Sequence, residues 1–170
     1  MCITVIDKSF YKSHRNIIEM SSLLTIGDEA KNAIKKFRLT TNRIDKPEHI
    51  ILKINGEQEL LIDDEENNDE ESDDGWSDSD DEDELEDIKQ IRKQLPSNQP
   101  RYVVLAYPYK NKIPLILIYY KPDTCRDEET RMLYVNGLEF ISRNNLVSPN
   151  KILDLVDKDE LKKEFIEQEL

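Results

Sequence analysis

The sequence is poor in the residues that build catalytic and cofactor sites. Its 170 residues include two cysteines, two histidines and four glycines. Two cysteines do not make a disulfide framework, which favours a reducing intracellular setting. The glycines match neither a phosphate-binding loop nor a dinucleotide fingerprint. No apolar run approaches the roughly 18 residues that cross a bilayer, so we expect a soluble protein without a membrane partner.

The histidines and cysteines also lack catalytic neighbours. His14 lies in a segment without sustained apolar periodicity, and His49 opens a predicted strand. Neither has a ligand pattern around it, so zinc or triad chemistry is not expected. Cys125 lies between a predicted strand and a predicted helix, where a small buried thiol is the simplest interpretation. The sequence therefore predicts no enzyme, no metal and no cofactor.

Charge is distributed unevenly along the chain. In total, 37 acidic residues face 24 Lys and Arg, for a net charge of -13. Residues 63–87 hold 17 of these acids and no Lys or Arg, so the remainder has 20 acids against 24 bases, a balance of +4. Proteins that bind nucleic acid need a strongly basic patch, so nucleic acid is not an expected partner. The pattern predicts a mildly basic domain interrupted by an acidic tract.

The acidic tract predicts a disordered insertion at about residues 63–84. Like charges at this density repel, and Trp76 alone offers a large apolar side chain. A solubilising loop, a docking site for basic partners and a mimic of nucleic acid all remain open as its role. Ser77 and Ser79 are each followed three residues later by an acid, the setting of an acid-directed kinase, so both are candidate phosphorylation sites.

The N-terminus predicts an extension rather than part of the domain. Residues 1–20 carry scattered apolar and basic side chains without a helical or strand period. We expect this segment to be disordered, or to be untranslated if translation starts at Met20. The predicted domain is then residues 21–170.

Apolar spacing predicts the first elements of that domain. Ile26, Ala30, Ile34 and Phe37 form one helical stripe, and Thr25 with Asp28 resembles a capping box at its start. Asn55-Gly56 then lies between the apolar segments His49–Ile54 and Gln58–Ile62. This dipeptide is typical of a type I′ hairpin turn, so two antiparallel strands are predicted here.

The remaining pattern completes an α+β fold. The further predicted elements are a helix bearing Ile88, Ile91 and Leu95 and ended by Pro96, central strands Arg101–Lys110 and Pro114–Lys121, a long helix from Asp127 to Asn145, a short strand Lys151–Val156, and a last helix capped by Asp157. In the long helix, Tyr134, Leu138 and Ile141 are predicted to face inward, and Arg131, Glu139, Ser142 and Arg143 outward. Hairpins with helices between them favour one mixed sheet covered by helices.

Several separate motifs recur in an order that matches a known family. They are Lys36-Phe37-Arg38, Ile50-Ile51-Leu52-Lys53-Ile54, Leu95-Pro96, Gln99-Pro100-Arg101-Tyr102 with the following Val103-Val104-Leu105-Ala106-Tyr107, Met132-Leu133-Tyr134 and Asp159-Glu160-Leu161. Together they resemble the glia maturation factor family, a branch of the actin-depolymerising factor homology (cofilin) superfamily. The resemblance covers about residues 21–170, apart from the acidic tract.

The resemblance implies a fold and a function. The fold would be a single actin-depolymerising factor homology domain, with a central mixed sheet sandwiched by helices. The function would be non-enzymatic: binding of the actin-related protein 2/3 complex, inhibition of branched actin nucleation and promotion of debranching, with weak or no binding of actin itself. A monomer in the cytoplasm at cortical actin structures is implied, with the nucleus as a second compartment.

The resemblance also implies a binding surface on this chain. In such relatives the segment before the first helix and the exposed face of the long helix enter a groove of an actin-related subunit. The corresponding residues are Ser21, Ser22, Lys35, Lys36, Arg38, Arg131, Tyr134, Glu139 and Arg143. Ser21 would also be a phosphorylation site if Met20 is the start. The chain departs from the family at Leu138-Glu139-Phe140, where relatives commonly carry lysines.

Two other functions remain open. One is a cofilin-like protein that binds and severs actin itself. The other is an acidic chaperone for basic nuclear proteins that uses residues 63–87 as its active segment. Within the first interpretation, the acidic tract is hypothesised to fold back onto the +4 surface and to weaken binding in a salt-dependent way.

Overall fold

A computed structural model describes residues 24–64 and 86–170 of the chain. The predicted N-terminal extension, most of the acidic insertion and the residues Ser21, Ser22, Ser77 and Ser79 lie outside the described residues. The described elements, in chain order, are β1 (Thr25–Ile26), α1 (Asp28–Thr40), β2 (Glu48–Ile54), β3 (Glu59–Ile62), α2 (Glu86–Gln94), β4 (Arg101–Ala106), β5 (Leu115–Tyr120), α3 (Glu128–Arg143), β6 (Lys151–Leu155) and α4 (Lys163–Glu167). Short 3-10 turns follow α1 and β6.

The six described strands form one mixed sheet in the order β1-β3-β2-β4-β5-β6. The two outer pairs, β1 with β3 and β5 with β6, are parallel, and the inner pairs are antiparallel. All six residues of β4 are buried. A strand covered on both faces needs apolar side chains in both directions, which explains the continuous apolar runs in the sequence.

Helices cover both faces of this sheet. Because successive strand residues point to opposite faces, the side chains of Val104 and Ala106 enter one core and those of Val103 and Leu105 the other. Helices α1 and α3 pack on the first face, and α2 and α4 on the second. The predicted α+β sandwich is confirmed.

The start of the first helix differs from the prediction. Helix α1 begins at Asp28 after Gly27, which makes no side-chain cap. Thr25 is instead in β1, paired with Glu59, and its amide donates to the Gln58 carbonyl at 3.0 Å. The predicted capping box at Thr25 is therefore wrong, because this residue satisfies its backbone in the sheet. Of the predicted helical stripe, Ala30, Ile34 and Phe37 are buried on α1 as expected, but Ile26 lies in β1 and the prediction was wrong there.

The β2–β3 hairpin is confirmed, but its turn is of another kind. Positive φ occurs at Gln58 (59°) and not at Gly56, so the predicted type I′ turn is wrong. The Asn55 side-chain oxygen accepts hydrogen bonds from the amides of Glu57 and Glu59, at 3.0 and 2.9 Å. Asn55 therefore shapes this turn through its side chain, as asparagines in Asx turns do.

The C-terminal helix is divided. The side chain of Asp157 caps as predicted, but it accepts from the Asp159 amide at 2.9 Å and starts only the 3-10 turn Lys158–Glu160. Helix α4 begins separately at Lys163. Leu161, between the two, is fully buried, which explains why the chain turns inward there.

Candidate partner-binding site

Helix α3 is held at its start by a side-chain cap. The Asp127 carboxylate accepts hydrogen bonds from the Glu129 amide at 3.1 Å and from the Thr130 hydroxyl at 2.5 Å. These bonds favour the ionised carboxylate, so they lower the pKa of Asp127, with Thr130 the largest cause. A negative charge at a helix N-terminus also complements the helix dipole. The first turn of α3 is therefore well fixed.

The inner side of α3 is pinned to the sheet by tyrosines. The Tyr134 hydroxyl accepts a hydrogen bond from the Ile54 amide at 2.9 Å, at the end of β2. The Tyr102 hydroxyl in turn donates to the Tyr134 carbonyl. Burial raises the pKa of Tyr134, while the Ile54 amide and then the Arg101 guanidinium oppose the rise. These contacts fix the rotation of α3, and thereby which side chains face outward.

The outer side of α3 combines apolar and charged groups. Met132 and Val135 are 51% and 50% exposed, high values for large apolar side chains. Arg131 lies beside them, and Glu139 forms an exposed ion pair with Arg143 at 2.5 Å. Exposed pairs add little stability, so this pair is free to exchange partners. We call these five residues the α3 face: an apolar centre with charges around it, the usual composition of a binding surface.

A groove adjoins the α3 face on the side of strand β6. It has a volume of about 290 Å³ and lies between Met132 and Val135 on one wall and Tyr119, Lys121 and Val156 on the other. Because β6 is the outermost strand and α3 does not cover it, Ile152 and Val156 stay 43% and 37% exposed. The exposed apolar area of the α3 face therefore continues across this groove to the edge of the sheet.

The structure places most of the predicted α3 residues at the surface. Arg131, Glu139 and Arg143 are exposed on the α3 face. Tyr134 is an exception, because only 2% of it is exposed and its hydroxyl is bonded inside the fold. We therefore correct its assignment from a partner-contacting residue to a core residue that orients the helix.

The predicted basic residues lie apart from the α3 face. Lys35, Lys36 and Arg38 are exposed on α1, which packs on the same side of the sheet as α3. The Arg38 guanidinium donates to the Leu146 carbonyl at 3.5 Å, which joins the end of α1 to the segment that follows α3. These bases can therefore extend a surface at the C-terminal end of α3, but they do not contact its centre.

Sequence reasoning missed Met132 and Val135 as surface residues. Both fall beside the polar stripe of Arg131 and Glu139, at one and four residues from Arg131. Apolar residues on the polar side of a helix are the signal that would have found them. Such residues are by default assigned to a core, and the resemblance used Met132 only as a motif.

The described residues offer other chemistry little support. Within residues 24–64 and 86–170, no three His, Cys, Asp or Glu side chains are placed to hold a metal ion. Cys125 is a free, buried thiol, as expected. Among the helices of the same residues, none is both long and apolar enough to cross a bilayer. What the surface offers instead is an exposed helix face suited to a protein partner.

Comparison with known proteins assigns the family. The sequence profile of cofilin/tropomyosin-type actin-binding proteins matches residues 23–170. The chain belongs to this family. Its members are non-enzymatic actin regulators, in agreement with the expectation that the chain is not an enzyme.

Individual relatives place this family member near glia maturation factor. Protein AIM7 of Saccharomyces cerevisiae is 37% identical over 135 residues, which cover 72% of this chain and 78% of that protein. Human glia maturation factor beta is 28% identical over 166 residues, covering 89% of this chain and 97% of the relative. The solution structure of glia maturation factor from Caenorhabditis elegans matches with a TM-score of 0.63 and 27% identity, over 87% of this chain and 96% of that one. The family member is thus a glia-maturation-factor-like regulator of the actin cytoskeleton.

Proposed function

We propose that this protein binds the actin-related protein 2/3 complex through the α3 face, slows branched nucleation and promotes debranching. The observation that carries the proposal is the exposure of Met132 and Val135 between charged neighbours on a helix whose rotation is fixed from inside. The similarity to glia maturation factor and to Protein AIM7 supports the choice of partner. The protein would act as a monomer in the cytoplasm, at cortical actin.

The physical basis is a helix laid into a groove. Exposed apolar side chains at the centre of such a face supply most of the binding energy once they are desolvated. Arg131, Glu139 and Arg143 lie around them, where charges steer the encounter and set its salt dependence. Glu139 and Arg143 are paired with each other, so this ion pair has to open before either charge meets a partner.

The second candidate is direct binding of actin. The family is described as actin-binding, and actin and actin-related subunits share a fold, so the same helix face suits both. The two functions differ in one observable property. A cofilin-like protein changes the assembly or sedimentation of pure actin filaments, whereas a protein specific for the complex does so only when the complex is present.

A double substitution on the α3 face tests the proposal. We expect Met132→Asp with Val135→Asp to weaken binding to the purified complex by at least about tenfold, because it places two charges at a centre that must be desolvated. Fluorescence anisotropy of the labelled protein, titrated with the complex, measures this effect. Since both side chains are exposed, the thermal unfolding temperature should stay near that of the wild type.

Lys93→Glu is the matched control for this substitution. Lys93 is exposed on α2, which packs on the opposite face of the sheet. The Lys93→Glu variant should therefore bind the complex with the affinity of the wild type. If the α3 double variant bound the complex with unchanged affinity, the binding surface would lie elsewhere. The same would follow if Lys93→Glu lost as much affinity as the α3 double variant.

A further inference from the structure

A second groove lies at the C-terminal end of α1, away from the centre of the α3 face. It has a volume of about 480 Å³, and its lining includes Lys35, Arg38, Leu39, Asn42, Ile113 and Leu115. Helix α1 and the turn after it form one wall, and the ends of β4 and β5 form the floor, where Ala106 lies. We call this the α1-end groove.

The α1-end groove combines positive charge with exposed apolar surface. Lys35 and Arg38 are the charged residues that line it, and no acid does so among the described residues. Leu39 is 68% exposed, and Ile113 and Leu115 are half-buried on the floor. Leu39 and the two floor residues together give the groove an apolar contact area beside its positive charges. The groove therefore fits an acidic peptide segment that carries one large apolar anchor.

The chain itself contains such a segment. Trp76 is the only tryptophan of the protein, and acids surround it, with Asp73 and Asp74 before it and Asp78 and Asp80 after it. Residues 65–85 lie outside the described residues, so the groove is built entirely without them. We propose that the acidic tract docks in the α1-end groove, with Trp76 against Leu39 and the flanking carboxylates near Lys35 and Arg38. This inference is independent of the proposed function.

The tract starts close enough to reach the groove. The Asp63 amide donates to the Ile51 carbonyl, and β2 pairs Glu48 with Ala106 on the groove floor. Asp63 and Ala106 are therefore separated by three residues along β2 and by two strand spacings across the sheet. This corresponds to a distance on the order of 15 Å. About 12 residues from Asp64 to Trp76 span up to roughly 40 Å when extended, and about ten from Trp76 to Glu86 up to roughly 33 Å. The connection from Asp64 therefore exceeds the distance to the groove floor more than twofold.

Tethering makes even a weak contact significant. Both ends of the tract are joined to the domain, so the effective concentration of Trp76 at the groove is on the order of millimolar. A contact of millimolar affinity would then be populated in a large fraction of molecules. Because the flanking contacts join opposite charges at an exposed surface, added salt should release the tract.

Fluorescence of the full chain tests this inference, with Trp76 as the only tryptophan signal. In low salt we expect blue-shifted emission and an acrylamide quenching constant at least about twofold below that of a free peptide of residues 63–87, because docking covers the indole. Raising the salt to about 0.5 M should return both values to those of the peptide. The double variant Lys35→Glu, Leu39→Asp should show the emission and the quenching constant of the free peptide already in low salt.

Matched variants and dilution make the result decisive. Lys93→Glu combined with Leu170→Asp changes the same residue types at exposed positions that do not line the groove and should keep the wild-type signal. Circular dichroism checks that each variant is folded. Peptide-like emission of the wild type in low salt would overturn the inference. It would also be overturned if the control variant lost the blue-shifted emission to the same extent as the groove variant. A signal that fades on dilution would also overturn it, because it would show docking between two copies rather than within one.

Discussion

Replacing Asp63 by leucine is expected to lower the free energy of unfolding by about 3–5 kcal/mol, because it leaves the buried Arg101 guanidinium without its counter-charge. Asp63 follows β3, and Arg101 opens β4. Their side chains are 2% and 6% exposed, and the Arg101 Nε lies 2.5 Å from the Asp63 Oδ2. After the substitution, the partners that Arg101 keeps among residues 24–64 and 86–170 are neutral, such as the Pro100 carbonyl at 2.8 Å and the Gln99 side chain at 3.2 Å.

Lys53 completes this buried cluster. Its ammonium lies 3.2 Å from the Asp63 Oδ1, an oxygen that accepts no aligned hydrogen bond within the described residues. Lys53 is 21% exposed at its side chain, so it can turn toward water when Asp63 is lost. Arg101 cannot do so, and most of the expected loss therefore comes from Arg101.

Urea unfolding measures the effect, with the midpoint expected to fall while the slope stays constant. The informative control is Arg101→Met in the Asp63→Leu background. Removing both charges together should restore most of the lost stability, because a buried pair is worth little against apolar residues of similar size. A loss below about 1 kcal/mol in Asp63→Leu alone would mean that Arg101 finds water or another acid, contrary to the packing described here.

Gly137→Ala is expected to destabilise the fold by about 2–3 kcal/mol, although alanine is the better helix former. Gly137 is buried in the middle of α3. A Cβ added there would overlap the Tyr102 hydroxyl and come within 2.7 Å of the Ile54 Cδ1. Tyr102 is itself fixed by its hydrogen bond to the Tyr134 carbonyl, so it has little freedom to move away.

Gly56→Ala is the matched control for this change. Gly56 lies in the β2–β3 turn without positive φ, and an added Cβ meets no atom within 4 Å. Its substitution should be neutral or slightly stabilising. Thermal unfolding of the two variants beside the wild type measures the difference. If Gly137→Ala were as stable as Gly56→Ala, α3 would lie farther from the sheet than the structure shows.

The Gly137 substitution also bears on function, because Gly137 allows α3 to approach the sheet. A shift of the helix would move the α3 face as a unit. We therefore regard Gly137, and Tyr134 with its hydrogen bond to the Ile54 amide, as positioning residues for the exposed side chains of Met132 and Val135.

Sequence patterns predicted the parts of the fold that depend on local spacing. The helical period of α3 gave the outward direction of Arg131, Glu139 and Arg143, and the apolar runs gave β4 and β5. Long-range partners were beyond reach: nothing near Tyr134 in sequence indicates that its hydroxyl meets the Ile54 amide. Strand β1 was missed because two residues are too short to show a period, and because its pairing with β3 depends on the finished hairpin.

The candidate site was predicted in the same uneven way. Charged residues on a helix are readily assigned to the surface, whereas the exposure of Met132 and Val135 follows only from where α3 docks. The α1-end groove could not be predicted either, because it forms where the end of α1 meets residues far along the chain, such as Leu115 and Asn150. Its basic residues were singled out from the resemblance, without the groove that gives them a possible ligand.

The most direct test of the central claim is actin assembly followed by fluorescence, with and without the activated actin-related protein 2/3 complex. Our account predicts that the protein slows assembly in proportion to its concentration only when the complex is present, and leaves pure actin unchanged. The Met132→Asp, Val135→Asp variant should lose this effect. Altered assembly of pure actin would contradict the account in favour of a cofilin-like activity, and no effect in either case would contradict a role in branched nucleation.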